Sequence, residues 1–513
     1  MSSQIPETNN GEFFESRGYS SIGSFQYDRS VDDMLSEPAG TYIAPARAVD
    51  VSDLFDASKS PPELGKTFRA AFFLDMGWVF LNHGAFGGAA RPALRAAQRW
   101  AEYAETQPLR WFDRELFPLL AHSIRAAAAL IRAPPANVAL VPHATYALSS
   151  VIGSLLLQPG DVIFCLDVGY GSVKKMLSAA AERSGARLVV GAVPFPLTTP
   201  ASFVDAIAAQ IPLGATLAVF DHVTSNAGLL LPVAALVAAA HERAARVLVD
   251  GAHGLGALDL DVPAIGADYY ITNAHKWFAS SKGLAVLYVA PWVLAGKPGP
   301  ADAPLALTVA RPPAGPPRAA SISHGFGSGF GSEFIWDGCR DYSAAVALPS
   351  LLDWWSWVGI ERSRDYCRAL LAEGIALLCA RWGTAPHAPA AFYSHMACVQ
   401  LPARAMPRGA FSDADGGIWR STSTHSKMIQ DALHHAFSIE VPAKTLPGPD
   451  GGADSRTYVR VSAFVYNSIE DFLSLADAVD RINWVDHVAD AAEDNINVSA
   501  VATGGGLQRL HLT

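Results

Sequence analysis

The chain has 513 residues, 50% of them hydrophobic and 17% charged, a balance that excludes a disordered or fibrous protein and leaves volume for two or three packed domains. Its 48 acidic against 38 basic side chains give a formal charge of −10 with no basic stripe, so neither nucleic acid nor an anionic membrane surface is an expected partner. The 5 cysteines show no CxxC pair or metal-ligand spacing, which points to a reducing compartment and to no metal site.

Residues 1 to about 70 are polar, acidic and rich in Ser and Pro, and are expected to form a flexible extension. They lack the apolar stretch of a signal peptide and carry too many acids for a transit peptide, so a cytoplasmic location is expected. From 71 onward, short apolar runs alternate with amphipathic ones. Strands are predicted over 138–141, 162–166, 188–193, 217–220, 247–249, 269–271 and 284–289, with helices over 144–157, 172–183 and 233–244. The apolar run 227–240 is too short to span a bilayer and is broken by Pro232. Strands without polar alternation, separated by helices, imply a mostly parallel sheet covered on both faces.

A Pro/Gly/Ala-rich segment over 295–317 and a Gly-rich stretch over 325–331 interrupt this pattern. A helical region then runs from Ser343 through Leu351, Trp354 and Trp357 towards Trp382. Strands follow over 397–401 and 457–462, and Ser468-x-x-Asp471 is a capping box opening a final helix. The expected organisation is a large α/β domain over 71–342, a smaller α+β domain over 343–485 and a flexible tail over 486–513. A ligand site is expected between the two domains.

Open α/β sheets bind ligands beyond the carboxyl ends of their strands, and two segments put reactive groups there. Val247-Leu248-Val249-Asp250 is a buried strand ending in an acid, and Tyr270-Ile271-Thr272-Asn273-Ala274-His275-Lys276 is a strand running into a lysine. Either alone is more often structural than functional. Together, in this order and about one helix apart, they suit an enzyme of pyridoxal 5'-phosphate (PLP). Lys276 would bind the cofactor aldehyde as a Schiff base, and Asp250 would keep the pyridine nitrogen protonated. Gly251-Ala252-His253-Gly254-Leu255-Gly256 faintly suggests a dinucleotide loop, but its spacing is not GxGxxG and its strand already ends in the acid.

The strings DGAHGLG and TNAHKW resemble the class V aminotransferase family, near isopenicillin N epimerase-like and plant L-cysteine desulfhydrase-like proteins. Leu81-Asn82-His83-Gly84-Ala85-Phe86-Gly87, His143-Ala144-Thr145, Tyr170-Gly171-Ser172, Asp221-His222-Val223-Thr224-Ser225, Trp336-Asp337-Gly338-Cys339-Arg340 and Val459-Arg460-Val461-Ser462 match in the same order over roughly 70 to 485. The resemblance implies a fold type I PLP transferase architecture, with a mostly parallel seven-stranded sheet and a homodimer sharing its active site. It places His253 and Ser225 near the cofactor's phenolic oxygen, and Ala144 and Thr145 at a phosphate-binding helix start. Asn273 and His275 would add phosphate contacts and Tyr170 a ring over the cofactor, although a packing tyrosine is an equal reading there. Arg460 would grip the substrate carboxylate, with Asn82 and His83 lining the substrate side. Cys339 stands where the family usually has threonine, in a segment that reaches a neighbouring subunit's phosphate.

The resemblance implies a C–S lyase releasing sulfide from L-cysteine or an S-substituted cysteine by β-elimination, with pyruvate and ammonia as the other products. Open alternatives are a hercynylcysteine sulfoxide lyase-like enzyme of ergothioneine biosynthesis, an isopenicillin N epimerase-like enzyme, a nicotinamide-dependent oxidoreductase, or a non-catalytic binding protein on the same fold. A desulfurase needs a nucleophilic cysteine on the loop before the carboxylate-binding arginine, and 446–455 contains none.

Overall fold

The computed structural model describes residues 25, 27, 29–297, 299, 316–402, 410–412, 418–421, 425–448, 455–482, 484–485 and 507–510. Its centre is a seven-stranded sheet. The strands in chain order are β1 (Val138–Val141), β2 (Val162–Leu166), β3 (Arg187–Gly191), β4 (Leu217–Asp221), β5 (Arg246–Asp250), β6 (Tyr269–Asn273) and β7 (Ala285–Val289). Their spatial order is β1-β7-β6-β5-β4-β2-β3. The run from β6 to β3 is parallel throughout, and only β7 opposes its neighbours. Strands β4 to β7 are buried along their whole length, which is why they lack polar alternation. β4 and β5 run in register and finish together, with Asp221 beside Asp250.

The smaller layer has three antiparallel strands, β8 (Met396–Gln400), β9 (Ala443–Pro447) and β10 (Ser455–Ser462), in the order β9-β10-β8. The helices Ile360–Trp382 and Ile469–Arg481 bury Leu370, Leu378, Phe472 and Leu475 with Val459 and Val461 of β10 in a second core. Asp471 accepts from the Ser468 N–H at 3.2 Å, the reciprocal half of the expected capping box.

Three expectations change. The long helical region is three helices, Ser343–Val346, Leu348–Val358 and Ile360–Trp382, with Gly359 (φ 87°) at the second break. Leu348–Val358 packs into the larger core rather than the smaller one, and Trp355 donates its indole N–H to the Phe278 carbonyl at 2.8 Å. The tail contributes a strand at Leu507–Leu510, paired with Ile418–Ser421. The rest of 486–513, like most of the Pro/Gly/Ala-rich segment, lies outside the described residues.

The third change concerns the N-terminal segment, whose described part is not a free extension. Phe25, Tyr27, Val31, Met34, Leu35 and Val49 are buried in the larger core. Tyr27 stacks on Phe117 with centroids 4.4 Å apart and donates its hydroxyl to the Phe112 carbonyl at 2.7 Å. The helix Val31–Ser36 is capped by Ser30, whose hydroxyl accepts from the Asp33 N–H at 3.1 Å. These apolar side chains show no period because the segment is laid over other elements instead of building its own core. Tyr27→Ala is therefore expected to cost about 3 kcal/mol of unfolding free energy, read as an earlier denaturant midpoint. Among the described residues, no helix is long and apolar enough to cross a membrane.

Candidate active site

The carboxyl ends of β4, β5 and β6 open into one cavity. Asp221, Asp250, Ala252, His253, Asn273, His275 and Lys276 line it from the sheet. Ala144, Thr145, Tyr170, Val223 and Ser225 line it from the surrounding loops and helix starts. Nine of the residues singled out from the sequence therefore share one space: Lys276, Asp250, His253, Ala144, Thr145, Tyr170, Ser225, Asn273 and His275.

Lys276 sits on the turn after β6, and that turn is gripped by two glycines. A Cβ on Gly87 (φ 69°) would fall 2.1 Å from the His275 carbonyl oxygen. One on Gly256 (φ 89°) would fall 2.5 Å from the Trp277 carbonyl. Both need the left-handed backbone and both need the missing methyl. His83 ties the turn a third time, its Nε2–H donating to the Lys276 carbonyl at 2.9 Å.

Burial pushes the Lys276 ammonium down to about 8, with Asp250 opposing the shift and Arg460 adding to it. Its Nζ lies 3.0 Å from His253 Nε2. Burial also raises the Asp250 carboxyl above its ordinary range, while the Ala252 N–H and Lys276 pull it back. A buried carboxyl in that state gains most from a cation placed against it.

Another part of the cavity lining suits an anion. The helix Ala144–Gly153 opens onto it, with His143 Nδ1 accepting from the Tyr146 N–H at 3.1 Å. The Ala144 N–H is already taken by Asn273 Oδ1 at 2.9 Å, so Asn273 holds this turn in place and Thr145 is left facing the cavity. Among the described residues, His275 Nδ1 is buried without a partner. A dianion beside that nitrogen would raise the ring's pKa, which burial now depresses to about 4, and would draw a proton to it. A carboxyl fit for a pyridinium, a helix start fit for a phosphate and a buried amine, all lining one cavity, fit PLP.

The structure corrects the substrate-side expectations for Asn82 and His83. His83 is fully buried, accepts from the Tyr466 hydroxyl at 2.7 Å on Nδ1 and stacks on Phe464. With both nitrogens engaged it anchors the lysine turn and has none left for a substrate. Asn82 spends its amide on Arg460 (3.0 Å) and Glu440 (3.0 Å), so it positions the arginine. Arg460 also donates to the Ser225 carbonyl, and its Nε is buried without a partner among the described residues. Arg460 does not line the cavity itself, but a buried guanidinium with a donor to spare against the lining residue Ser225 suits a substrate carboxylate.

Two residues were missed. Asp221 lines the cavity and accepts from the Tyr170 N–H, and burial with Asp250 alongside drives its carboxyl well above its ordinary range. Its signal was present, because β4 and β5 both end apolar-apolar-Asp. Trp277 donates to His253 Nδ1 at 3.2 Å, a link no spacing rule anticipates.

A family model described as Aminotransferase class-V matches residues 120–296. The putative L-cysteine desulfhydrase 1 of Oryza sativa subsp. japonica is 31% identical over 80% of this chain and 84% of its own length. The chain belongs to the class V aminotransferase family. Isopenicillin N epimerase of Streptomyces clavuligerus is 29% identical over 81% of this chain and 97% of its own. Among solved structures, the cystine C–S lyase C-DES in complex with its reaction product cysteine persulfide superposes with a TM-score of 0.61 at 19% identity, covering 79% of this chain and 98% of that one. The cysteine desulfurase CsdA of Escherichia coli superposes with a TM-score of 0.60 at 18% identity, covering 83% and 98%. The family's fold is the one described above, a mostly parallel seven-stranded sheet with a smaller C-terminal sheet.

Proposed function

We propose that this protein is a PLP-dependent C–S lyase that releases sulfide from L-cysteine, or a thiol from an S-substituted cysteine, leaving pyruvate and ammonia. The observation that carries the reading is a buried amine, Lys276, sharing one cavity with a pyridinium-ready carboxyl and an anion-ready helix start. Relatives named L-cysteine desulfhydrase, in rice and in Arabidopsis thaliana, support the substrate class.

When bound, PLP supplies the electron sink that stabilises a carbanion at the substrate Cα. Asp250 keeps the ring nitrogen protonated, and Thr145 with His275 would hold the phosphate. Arg460 binds the substrate carboxylate and so turns the Cα–H bond towards Lys276. The Lys276 amine is the base that would take the Cα proton. Overall, L-cysteine and water would give hydrogen sulfide, pyruvate and ammonia, the Cα proton held by Lys276 being returned to the products.

Transfer of sulfur to an enzyme cysteine is disfavoured. The loop 446–455 has no cysteine, and Cys398 is buried in β8 with its thiol pushed up to about 12. Epimerisation stays as the second reading, because the epimerase relative matches along nearly its whole length. Incubating L-cysteine, S-substituted cysteines and cysteine S-oxides while following sulfide, pyruvate and racemised amino acid separates the two. Racemisation without sulfide or pyruvate would overturn the lyase reading.

The working unit is proposed to be a cytoplasmic homodimer. Phe86 (77% exposed) and Tyr170 (40%) stand uncovered at the cavity, where a second copy would shield them. Arg460→Ala is expected to raise KM about 10- to 100-fold with a smaller effect on kcat, because a charge-assisted grip on the carboxylate is lost.

A further inference from the structure

Lys276 has been described as an amine that binds an aldehyde, and only its unprotonated form can do so. Which form it takes is set by the donors and acceptors around its nitrogen. Trp277 is almost fully buried, and its indole N–H points at His253 Nδ1 across 3.2 Å. An indole nitrogen donates and never accepts, so His253 Nδ1 must present a lone pair. Burial and the cations nearby hold the imidazole well below its ordinary range, so the ring is neutral and carries one proton. That proton is therefore on Nε2, 3.0 Å from Lys276 Nζ.

The consequence for the lysine is polar. Against an ammonium group, Nε2–H would be a donor facing a donor, and the desolvated contact would be unsatisfied. Against a neutral amine, it donates into the nitrogen lone pair. We infer that Trp277 is a positioning residue which, by dictating the tautomer of His253, shifts Lys276 towards the free amine. The inference rests on the proposed aldehyde-binding role of Lys276 and adds what keeps that nitrogen ready.

The other charged groups around Lys276 are Asp250 at the end of β5, Asp221 at the end of β4 and Arg460 on β10. His275 and His83 act on His253 from the lysine turn and the Asn82 loop. Among the described residues the Trp277 indole N–H is bonded to His253 Nδ1, so its removal frees the His253 tautomer, while the smaller Phe ring keeps an aromatic face towards His83, His395 and Phe464.

The test uses the full chain freed of bound aldehyde. Its first reading is nitrogen NMR of the histidines, which distinguishes a protonated from an unprotonated Nδ1 in His253 without any substitution. The second is the pH dependence of Lys276 modification by an amine-selective reagent, followed by peptide mass spectrometry. In the natural chain, Nδ1 of His253 is expected to be unprotonated and the Lys276 midpoint to lie near 8. In Trp277→Phe, His253 can turn a lone pair to the ammonium, and the midpoint should rise by about one unit. A protonated Nδ1 in the natural chain, or an unmoved midpoint in a folded Trp277→Phe, overturns the inference. If PLP instead fails to attach to Lys276 in the natural chain, it is the functional reading that falls.

Discussion

Lys276→Ala is expected to lose the visible absorbance of lysine-bound PLP, to resist labelling by borohydride at this position, and to lose at least about 10³-fold in kcat. The size follows from two duties resting on one nitrogen: attachment of the cofactor and transfer of the Cα proton, the latter alone worth about 10² to 10⁴. The fold should survive, because the turn is held through its main chain. His83 binds the Lys276 carbonyl, and Gly87 and Gly256 abut backbone atoms. Circular dichroism and gel filtration would confirm this. A variant that keeps its colour and turnover would remove Lys276 from the chemistry.

Asp250→Asn is expected to retain cofactor but lose about 10² to 10³ in kcat, the scale of deleting one preorganised electrostatic contact. The amide is nearly isosteric and can still accept from the Ala252 N–H, now at 3.0 Å from Oδ1. What it cannot do is hold a proton on the ring nitrogen by charge. Binding, read from the absorbance of the reconstituted protein, should therefore fall much less than turnover. The neighbouring Asp221 makes this substitution informative. If Asp221 took over the anionic role, Asp250→Asn would be nearly silent and the pairing would have to be reassigned.

The large sheet was legible because burial on both faces writes itself as short uninterrupted apolar runs, as in Leu217–Asp221 and Arg246–Asp250. Lys276 and Asp250 were legible for the same reason, since each follows such a run at the end where ligands bind. The roles of Asn82 and His83 were not, because they depend on partners far away in the chain. Asn82 meets Glu440 358 positions away, and His83 meets Tyr466 383 positions away. The N-terminal docking escaped for another reason. Tyr27 and Val31 are isolated apolar residues in a polar stretch, and only the surface they land on gives them meaning.

Asn82 also does something that only the assembled fold reveals. Its amide is a relay, taking Arg460 on one side and Glu440 on the other, while the second oxygen of Glu440 meets His434 at 3.1 Å. The chain thus runs from the innermost guanidinium out to a histidine at the periphery of the C-terminal layer. The hold on Arg460 consequently reaches beyond the cavity, and under its proposed carboxylate role a change at His434 is expected to alter affinity without touching a ligand.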